Sequence, residues 1–418
     1  METKIEITPL DHYNYKNKKV LLRVDINSPL DPATKNIVND NRIRMSIPTI
    51  KYLLDSGAKL AIIAHQGDTL DYQNLIPLHE HAQILSNYLE KKVDYIDDVA
   101  GPAAQKRVQD LNPHEAIILG NVRYLCEEVS TFEDYVKLKP EEMLNTYIVR
   151  NLAPLFDYYV NDAFAAAHRN APSMVAFQEL LPSVGGFLLI QEVTALTKVL
   201  KSSKKPAIFV LGGAKISDAF GMMKHVLQNG IADKILATGL VGEVMLMAQG
   251  ISLGEKTEKF IKDKSLDVFV QPAGEYLKDF PGKIVCPVDL AYEKNAGRCE
   301  ILVEDLPINE MFMDIGKNTI KLFTEFIQSA GTIFLNGPAG VYENPLFAEG
   351  TKNILSAVSE ADGYTVIGGG DTVSAASRFT DLQKYDYVCT GGGAMIRFLS
   401  GKELPLIKAM KKAYYKSF

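Results

Sequence analysis

The stretch AIFVLGGAK, Ala207–Lys215, sets a short apolar run against a glycine pair and a lysine, with a helix-like pattern beyond it. A run that short, stopped by glycine, reads as a buried strand, and the glycine pair as the turn of a βα unit. The arrangement recurs through the second half. Lys234–Thr238 runs into Gly239, Thr332–Leu335 into Gly337 and Gly340, Tyr364–Ile367 into Gly368, Gly369 and Gly370, and Tyr387–Thr390 into Gly391, Gly392 and Gly393. First-half candidate strands are Val20–Val24, Leu60–Ala64, Ala116–Leu119 and Tyr158–Val160, with helical patterns such as Ile43–Asp55 and Leu78–Glu90 between them. These strands run instead into polar residues: Asp25 and Asn27, His65, Asn121 and Arg123, then Asn161 and Asp162 with His168 and Arg169 just beyond. Repeated βα units of this kind predict an α/β fold of parallel sheets flanked by helices.

At roughly 150 residues per domain, 418 residues imply two or three domains. The change of rim chemistry falls near Leu181–Leu200 (LPSVGGFLLIQEVTALTKVL), which opens with proline and glycine and continues as a helical pattern. The expected organisation is an acid-binding domain over 1–182, a hinge helix region over 183–200, a nucleotide-binding domain over 201–400 and a docked terminal helix within 401–418.

Composition narrows the functional classes. Apolar residues at 47% and charged residues at 23% exclude a disordered chain. A net charge of −6 argues against a general nucleic-acid or membrane-surface binder. No stretch approaches the ~20 apolar residues of a membrane span, and Met1–Leu10 carries no apolar signal core, so a cytoplasmic protein is expected. Cys126, Cys286, Cys299 and Cys389 are scattered, as reduced, mostly buried thiols would be. A monomer or a homodimer is the expected assembly.

The rims suggest chemistry because ligands of open parallel sheets sit beyond the carboxyl ends of the strands. Glycine-rich strand-to-helix turns let main-chain N–H groups approach phosphate oxygens, and Lys215 stands where it could reach a phosphoryl group in transfer. Asp371, after three glycines, could hold Mg²⁺ beside a phosphate or simply cap a helix. On the other rim Arg42, His65, Arg123, His168 and Arg169 would form an anion site if the fold converges them. A basic acid-binding rim and a glycine-rich nucleotide rim are what phosphoryl transfer between two small molecules requires. No strand is followed by the dinucleotide fingerprint G-x-G-x-x-G, and GGAKIS lacks the spacing of a P-loop.

Over nearly its whole length, in order, the chain resembles phosphoglycerate kinase. The segments are LLRVDINSP (Leu21–Pro29), NRI (Asn41–Ile43), NVR (Asn121–Arg123), NDAFAAAHR (Asn161–Arg169), LGGAK (Leu211–Lys215), NGPAGVYE (Asn336–Glu343), GGGDT (Gly368–Thr372) and TGGGA (Thr390–Ala394). The resemblance implies two Rossmann-like domains joined by a hinge, and reversible transfer between 1,3-bisphosphoglycerate with ADP and 3-phosphoglycerate with ATP, using Mg²⁺. It implies that Asp25 and Asn27, with Ile26 between them, hold the glycerate, that Arg42 orients its carboxyl group and stabilises charge on the transferring phosphoryl, that His65, Arg123 and Arg169 grip the 3-phosphate, and that Gln66, Gly67 and Asp68 belong to the same substrate-binding set. Lys215 and the N–H groups of Gly370 and Gly392 would steady the transferred group. Gly212, Gly213, Gly239, Asn336, Pro338, Gly340, Glu343, Gly368, Gly369 and Thr372 would line the nucleotide, and Asp371 would hold its metal.

Three departures stand out. AHQGDT puts Asp68 where the family's SHLGRP or SHQGRP loop has arginine, which opens an alternative: a kinase of a related carboxylic acid. Ala219 replaces a frequent second lysine four residues after Lys215, as in archaeal-type members, and Gly120 replaces a frequent glutamate before NVR.

Overall fold

The structure, a computed structural model, describes residues 5–67 and 72–416. Asp68 lies outside the described residues. The chain folds as two units. One is Ala195–Lys402; the other comprises the residues up to Thr194 together with the segment from Glu403.

In the first unit the strands are β1 (Lys19–Arg23), β2 (Lys59–Ile63), β3 (Val93–Tyr95), β4 (Glu115–Ile118), β5 (Tyr158–Asn161) and β6 (Ser183–Gly185). They form one parallel sheet in the order β3-β4-β2-β1-β5-β6. Val20, Leu21 and Leu22 are fully buried, as strands covered by helices on both faces require. From β1 the chain moves to β2 on one side, and from β5 to β6 on the other. Brought side by side, Val20 with Tyr158 and Arg23 with Asn161, these two strands make the switch point at which ligand crevices open.

The second unit repeats the design. Its strands β7 (Ala207–Leu211), β8 (Lys234–Ala237) and β9 (Ile284–Val285) are joined after an excursion by β13 (Thr332–Asn336), β14 (Tyr364–Gly368) and β15 (Tyr387–Val388). The order β15-β14-β13-β7-β8-β9 puts its switch point between β7 and β13. The excursion is a small antiparallel sheet of β10 (Asp289–Lys294), β11 (Gly297–Leu302) and β12 (Phe312–Ile315). Asn295 and Ala296, both with positive φ, make the two-residue turn between β10 and β11.

All nine expected strands are present, most within a residue of the reading. The last is shorter: only Val366 with Tyr387 and Ile367 with Val388 pair, so Cys389 and Thr390 already belong to the turn. The sequence reading missed β3, β6 and β9, too short to show a pattern, and the antiparallel sheet. Helices Asn41–Asp55 and His79–Leu89 replace the expected Ile43–Asp55 and Leu78–Glu90.

The helix Phe187–Lys201 carries the chain from the first unit into the second. The helix Pro405–Lys416 packs back on the first unit, where Leu406 N–H donates to Ala167 O at 3.2 Å and Lys412 and Lys416 pair with Glu179 at 2.8 and 2.6 Å. In the second unit the helix Gly239–Ala248 buries Glu243, one oxygen of which is without a hydrogen-bond partner among the described residues. No helix among the described residues is long and apolar enough to cross a membrane.

Candidate active site

At the end of β1 the chain turns through Asp25, Ile26 and Asn27. Asp25 Oδ1 accepts the Asn27 N–H at 3.1 Å and faces Arg42 Nη1, from the first turn of helix Asn41–Asp55, at 3.2 Å. Burial opposes ionisation of Asp25, but the charges of Arg42 and Arg23, with the Asn27 N–H, outweigh it and hold the carboxyl at about 2. Ile26 is fully buried, and Asn27 Oδ1 accepts the Gly67 N–H at 3.0 Å.

The turn after β2 is built around Gln66, whose side chain bonds Ser28 N and O at 2.8 and 2.9 Å and His81 Nε2 at 3.0 Å. Gln66 therefore ties the β1 and β2 turns together, its amide facing protein. Gly67 has φ +89°, and a Cβ there would fall 2.4 Å from Asn74 O, so glycine is the residue that fits.

Next to this turn His65, Arg123 and Arg169 converge as expected, and Arg23 with them, on one small cavity also lined by Glu128, Ala166 and Met174. Arg23 ends β1, is 3% exposed, and donates to His65 Nδ1 at 3.0 Å and Ser173 Oγ at 3.2 Å. Because a guanidinium can only donate, His65 Nδ1 accepts and Nε2 carries the proton. Burial holds the His65 pKa well below its ordinary value against the opposing charge of Asp25, so the ring is a neutral donor. Arg123 Nη1 donates to Gly67 O. Arg169 Nε pairs with Glu133 at 2.7 Å, while its Nη2 is buried without a partner among the described residues. The remaining carboxyl, Glu128, accepts from Ser173 N and Oγ at 2.6 Å each, and burial pushes it up to about 7. A cavity with three guanidinia, one holding an idle buried N–H, has the donors that an anion would need.

In the second unit the glycines perform two tasks. Gly212, Gly213 and Gly239 have their N–H groups taken by Asn336 O, Pro338 O and Ala339 O at 2.9, 2.9 and 3.1 Å. Their value is close approach: a Cβ on Gly212 would meet Thr238 Oγ1 at 2.2 Å, and one on Gly337 would meet Gly212 O at 2.1 Å. The expectation that all these turns offer N–H groups to phosphate is thus corrected for these three, whose backbone locks β7, β8 and β13 together. Gly370 and Gly392 differ. They open the helices Gly370–Phe379 and Gly392–Leu399, and a Cβ on either would meet open space. Their first-turn N–H groups lack intrahelical partners, as an anion-binding helix end requires.

Asn336 Nδ2 donates to Gly368 O at 2.8 Å, and Gly337 N–H to Thr372 Oγ1 at 2.7 Å, so Thr372 is buried scaffolding joining the β13 and β14 turns. Gly369, at φ +92°, takes the N-cap position. Asp371 therefore stands inside the first helical turn, exposed, and does not cap it. Lys215 is exposed before helix Ile216–Gln228 and Glu343 is exposed in the loop after β13; neither has a side-chain ion pair among the described residues.

Two parallel α/β units, one with an arginine-lined cavity and one with open glycine helix ends, an exposed lysine and exposed carboxylates, define a phosphotransferase of small molecules. The family model described as phosphoglycerate kinase matches residues 10–402. The chain is 42% identical over 408 residues to the phosphoglycerate kinase of Methanothermus fervidus, covering 98% of each chain. It is 40% identical to that of Pyrococcus abyssi, covering 97% of this chain and 98% of the other. Among solved structures, phosphoglycerate kinase from Pyrococcus horikoshii superposes with a TM-score of 0.89 at 37% identity, covering 99% of this chain and 100% of that one. The enzyme from Coxiella burnetii gives 0.79 at 30%, covering 97% and 99%. The chain belongs to the phosphoglycerate kinase family, of the archaeal type, and transfers a phosphoryl group reversibly between 1,3-bisphosphoglycerate with ADP and 3-phosphoglycerate with ATP.

Proposed function

We propose that the cavity of Arg23, His65, Arg123 and Arg169 receives the 3-phosphate of phosphoglycerate, with Asp25, Ile26 and Asn27 along the glycerate and Arg42 orienting the carboxyl group and stabilising charge on the phosphoryl in transfer. The observation that carries this reading is Arg169, which lines an arginine-rich cavity and whose buried Nη2 has no partner among the described residues. In the second unit Lys215 and the N–H groups of Gly370 and Gly392 steady the transferred phosphoryl, and Glu343 with the Asn336–Gly340 loop reaches the ribose and neighbouring phosphates. Asp371 fits a Mg²⁺ role because that ion takes one or two carboxylates and completes its shell with phosphate oxygens and water. When bound, Mg²⁺ supplies charge neutralisation on the nucleotide phosphates. The acyl phosphate needs no protein nucleophile, so the residues act by positioning and by stabilising charge on the transferred group. In this reading Phe187–Lys201 is the hinge between the acid-binding and nucleotide-binding domains, and the enzyme works in the cytoplasm as a monomer or homodimer.

The alternative acceptor, a related carboxylic acid, finds no support among the relatives. The deciding experiment is steady-state transfer from MgATP to 3-phosphoglycerate, glycerate and 2-phosphoglycerate. Turnover confined to 3-phosphoglycerate is expected; turnover only with another acid would overturn the assignment of the basic cavity.

A further inference from the structure

Behind the loop that carries Glu343 lies the small antiparallel sheet, and the two are tied together by Arg298 of β11. The side chain of Arg298 is 12% exposed, and its planar fork donates in several directions at once. Nη1 reaches Asp314 Oδ2 at 2.8 Å and Leu346 O at 3.1 Å, Nη2 reaches Ile315 O at 2.7 Å, and Nε pairs with Glu300 at 3.0 Å. Asp314, on β12, passes the restraint on: its Oδ2 also accepts the Gly350 N–H at 2.8 Å, at the start of helix Glu349–Ser359. The neighbouring Met313 O accepts the Val341 N–H at 2.8 Å. The segment from Val341 to Gly350 is thus held at its beginning, its middle and its end, all by β12 or by the arginine paired with β12. The fit is close, since a Cβ on Gly340 or Gly350 would fall 2.4 or 2.1 Å from Asp314 Oδ1. Glu343 stands exposed between the first two ties.

We propose that Arg298, which lies outside the nucleotide site, is a positioning residue for nucleotide binding, acting through Asp314 and Leu346 to fix where the loop presents Glu343. The proposal rests on the reading that Glu343 contacts the nucleotide. An arginine is needed because one rigid fork spans a carboxylate and two carbonyls, which a lysine point charge cannot do. Without it, Asp314 is left as a buried carboxylate lacking its cation, and the middle of the loop loses its tie.

The test compares Arg298→Ala, Arg298→Lys, Glu343→Ala and the double variant Arg298→Ala/Glu343→Ala by KM for MgATP, KM for 3-phosphoglycerate, kcat and melting temperature. Arg298→Ala is expected to raise the nucleotide KM about tenfold, with the acid KM unchanged, and Arg298→Lys to lie between it and the parent. Because Arg298 acts through Glu343, the double variant is expected to be no worse for nucleotide than Glu343→Ala. If Arg298→Ala does not fold, Arg298→Lys carries the comparison with its own Glu343→Ala double. A raised nucleotide KM in Glu343→Ala but not in the Arg298 variants overturns the inference alone. Fully additive effects overturn it too, because Arg298 would then act elsewhere. An unchanged nucleotide KM in Glu343→Ala overturns the contact at Glu343, and the inference with it.

Discussion

Arg42 Nη1 and Asp25 Oδ1 lie 3.2 Å apart, the aspartate side chain 6% exposed and the arginine side chain 35% exposed. The buried partner aims the exposed one. Arg42→Ala is expected to lower kcat at least a hundredfold, the scale of losing one group that stabilises transition-state charge. Affinity for MgADP, measured calorimetrically, stays within about twofold of the parent. Equal loss of nucleotide affinity would contradict the placement of Arg42 on the acid rim.

His65 is a neutral donor, with Nδ1 occupied by Arg23. Glutamine can also donate, so His65→Gln should keep the 3-phosphoglycerate KM within a few-fold, while His65→Ala raises it about tenfold or more. A pH profile of the acid KM between pH 5.5 and 8 should have the same shape in the parent and in His65→Gln. The titration of the phosphate is common to both, so an inflection lost in the glutamine variant would mean that the ring is charged.

Asp371 stands in the first turn of its helix and does not cap it. Asp371→Ala is therefore expected to leave the helix folded and to raise the Mg²⁺ concentration for half-maximal rate about tenfold at fixed nucleotide. The acid KM should barely move. An unaltered Mg²⁺ titration would remove the metal role.

Burial, uncompensated by any partner among the described residues, pushes Glu243 up to about 8 from its ordinary 4.5. The sign follows from linkage: protonation favours the folded chain, a contribution complete below about pH 4.5 and lost as pH rises through 8. Glu243→Gln is a permanently neutral isostere. Its stability in urea should gain on the parent by on the order of 2 kcal/mol between pH 6 and pH 8. Parallel curves would show that Glu243 reaches water or a cation in solution.

What could be read from the sequence, and what could not, divides along sequence distance. The glycines after β7, β13 and β14 are visible because apolar runs stop at them, and Asp25, His65 and Arg123 because they follow strand ends. The job of each glycine is not visible. Gly212 and Gly370 look alike in a string of letters, yet one packs against Thr238 and Pro338 and the other opens a helix into free space. Arg23 was missed because it falls inside the strand expected over Val20–Val24, where the sequence marks no site residue; the strand in fact ends at Arg23. Its role comes from His65 and Ser173, 42 and 150 residues away. Gln66 passes for a ligand group until its amide is seen bonded to Ser28 and His81. Glu243 did carry a signal, a lone acid inside the apolar stretch GLVGEVMLMA, which only burial makes interpretable.

The helix Pro405–Lys416 belongs to the first unit but is translated after all of the second. On the ribosome the first unit must therefore wait, its site for Leu406, Ile407 and Met410 uncovered, while Ala195–Lys402 emerges as an uninterrupted segment able to close by itself. The unit made first is the one finished last, and a nascent chain stalled before Glu403 presents that greasy socket to chaperones.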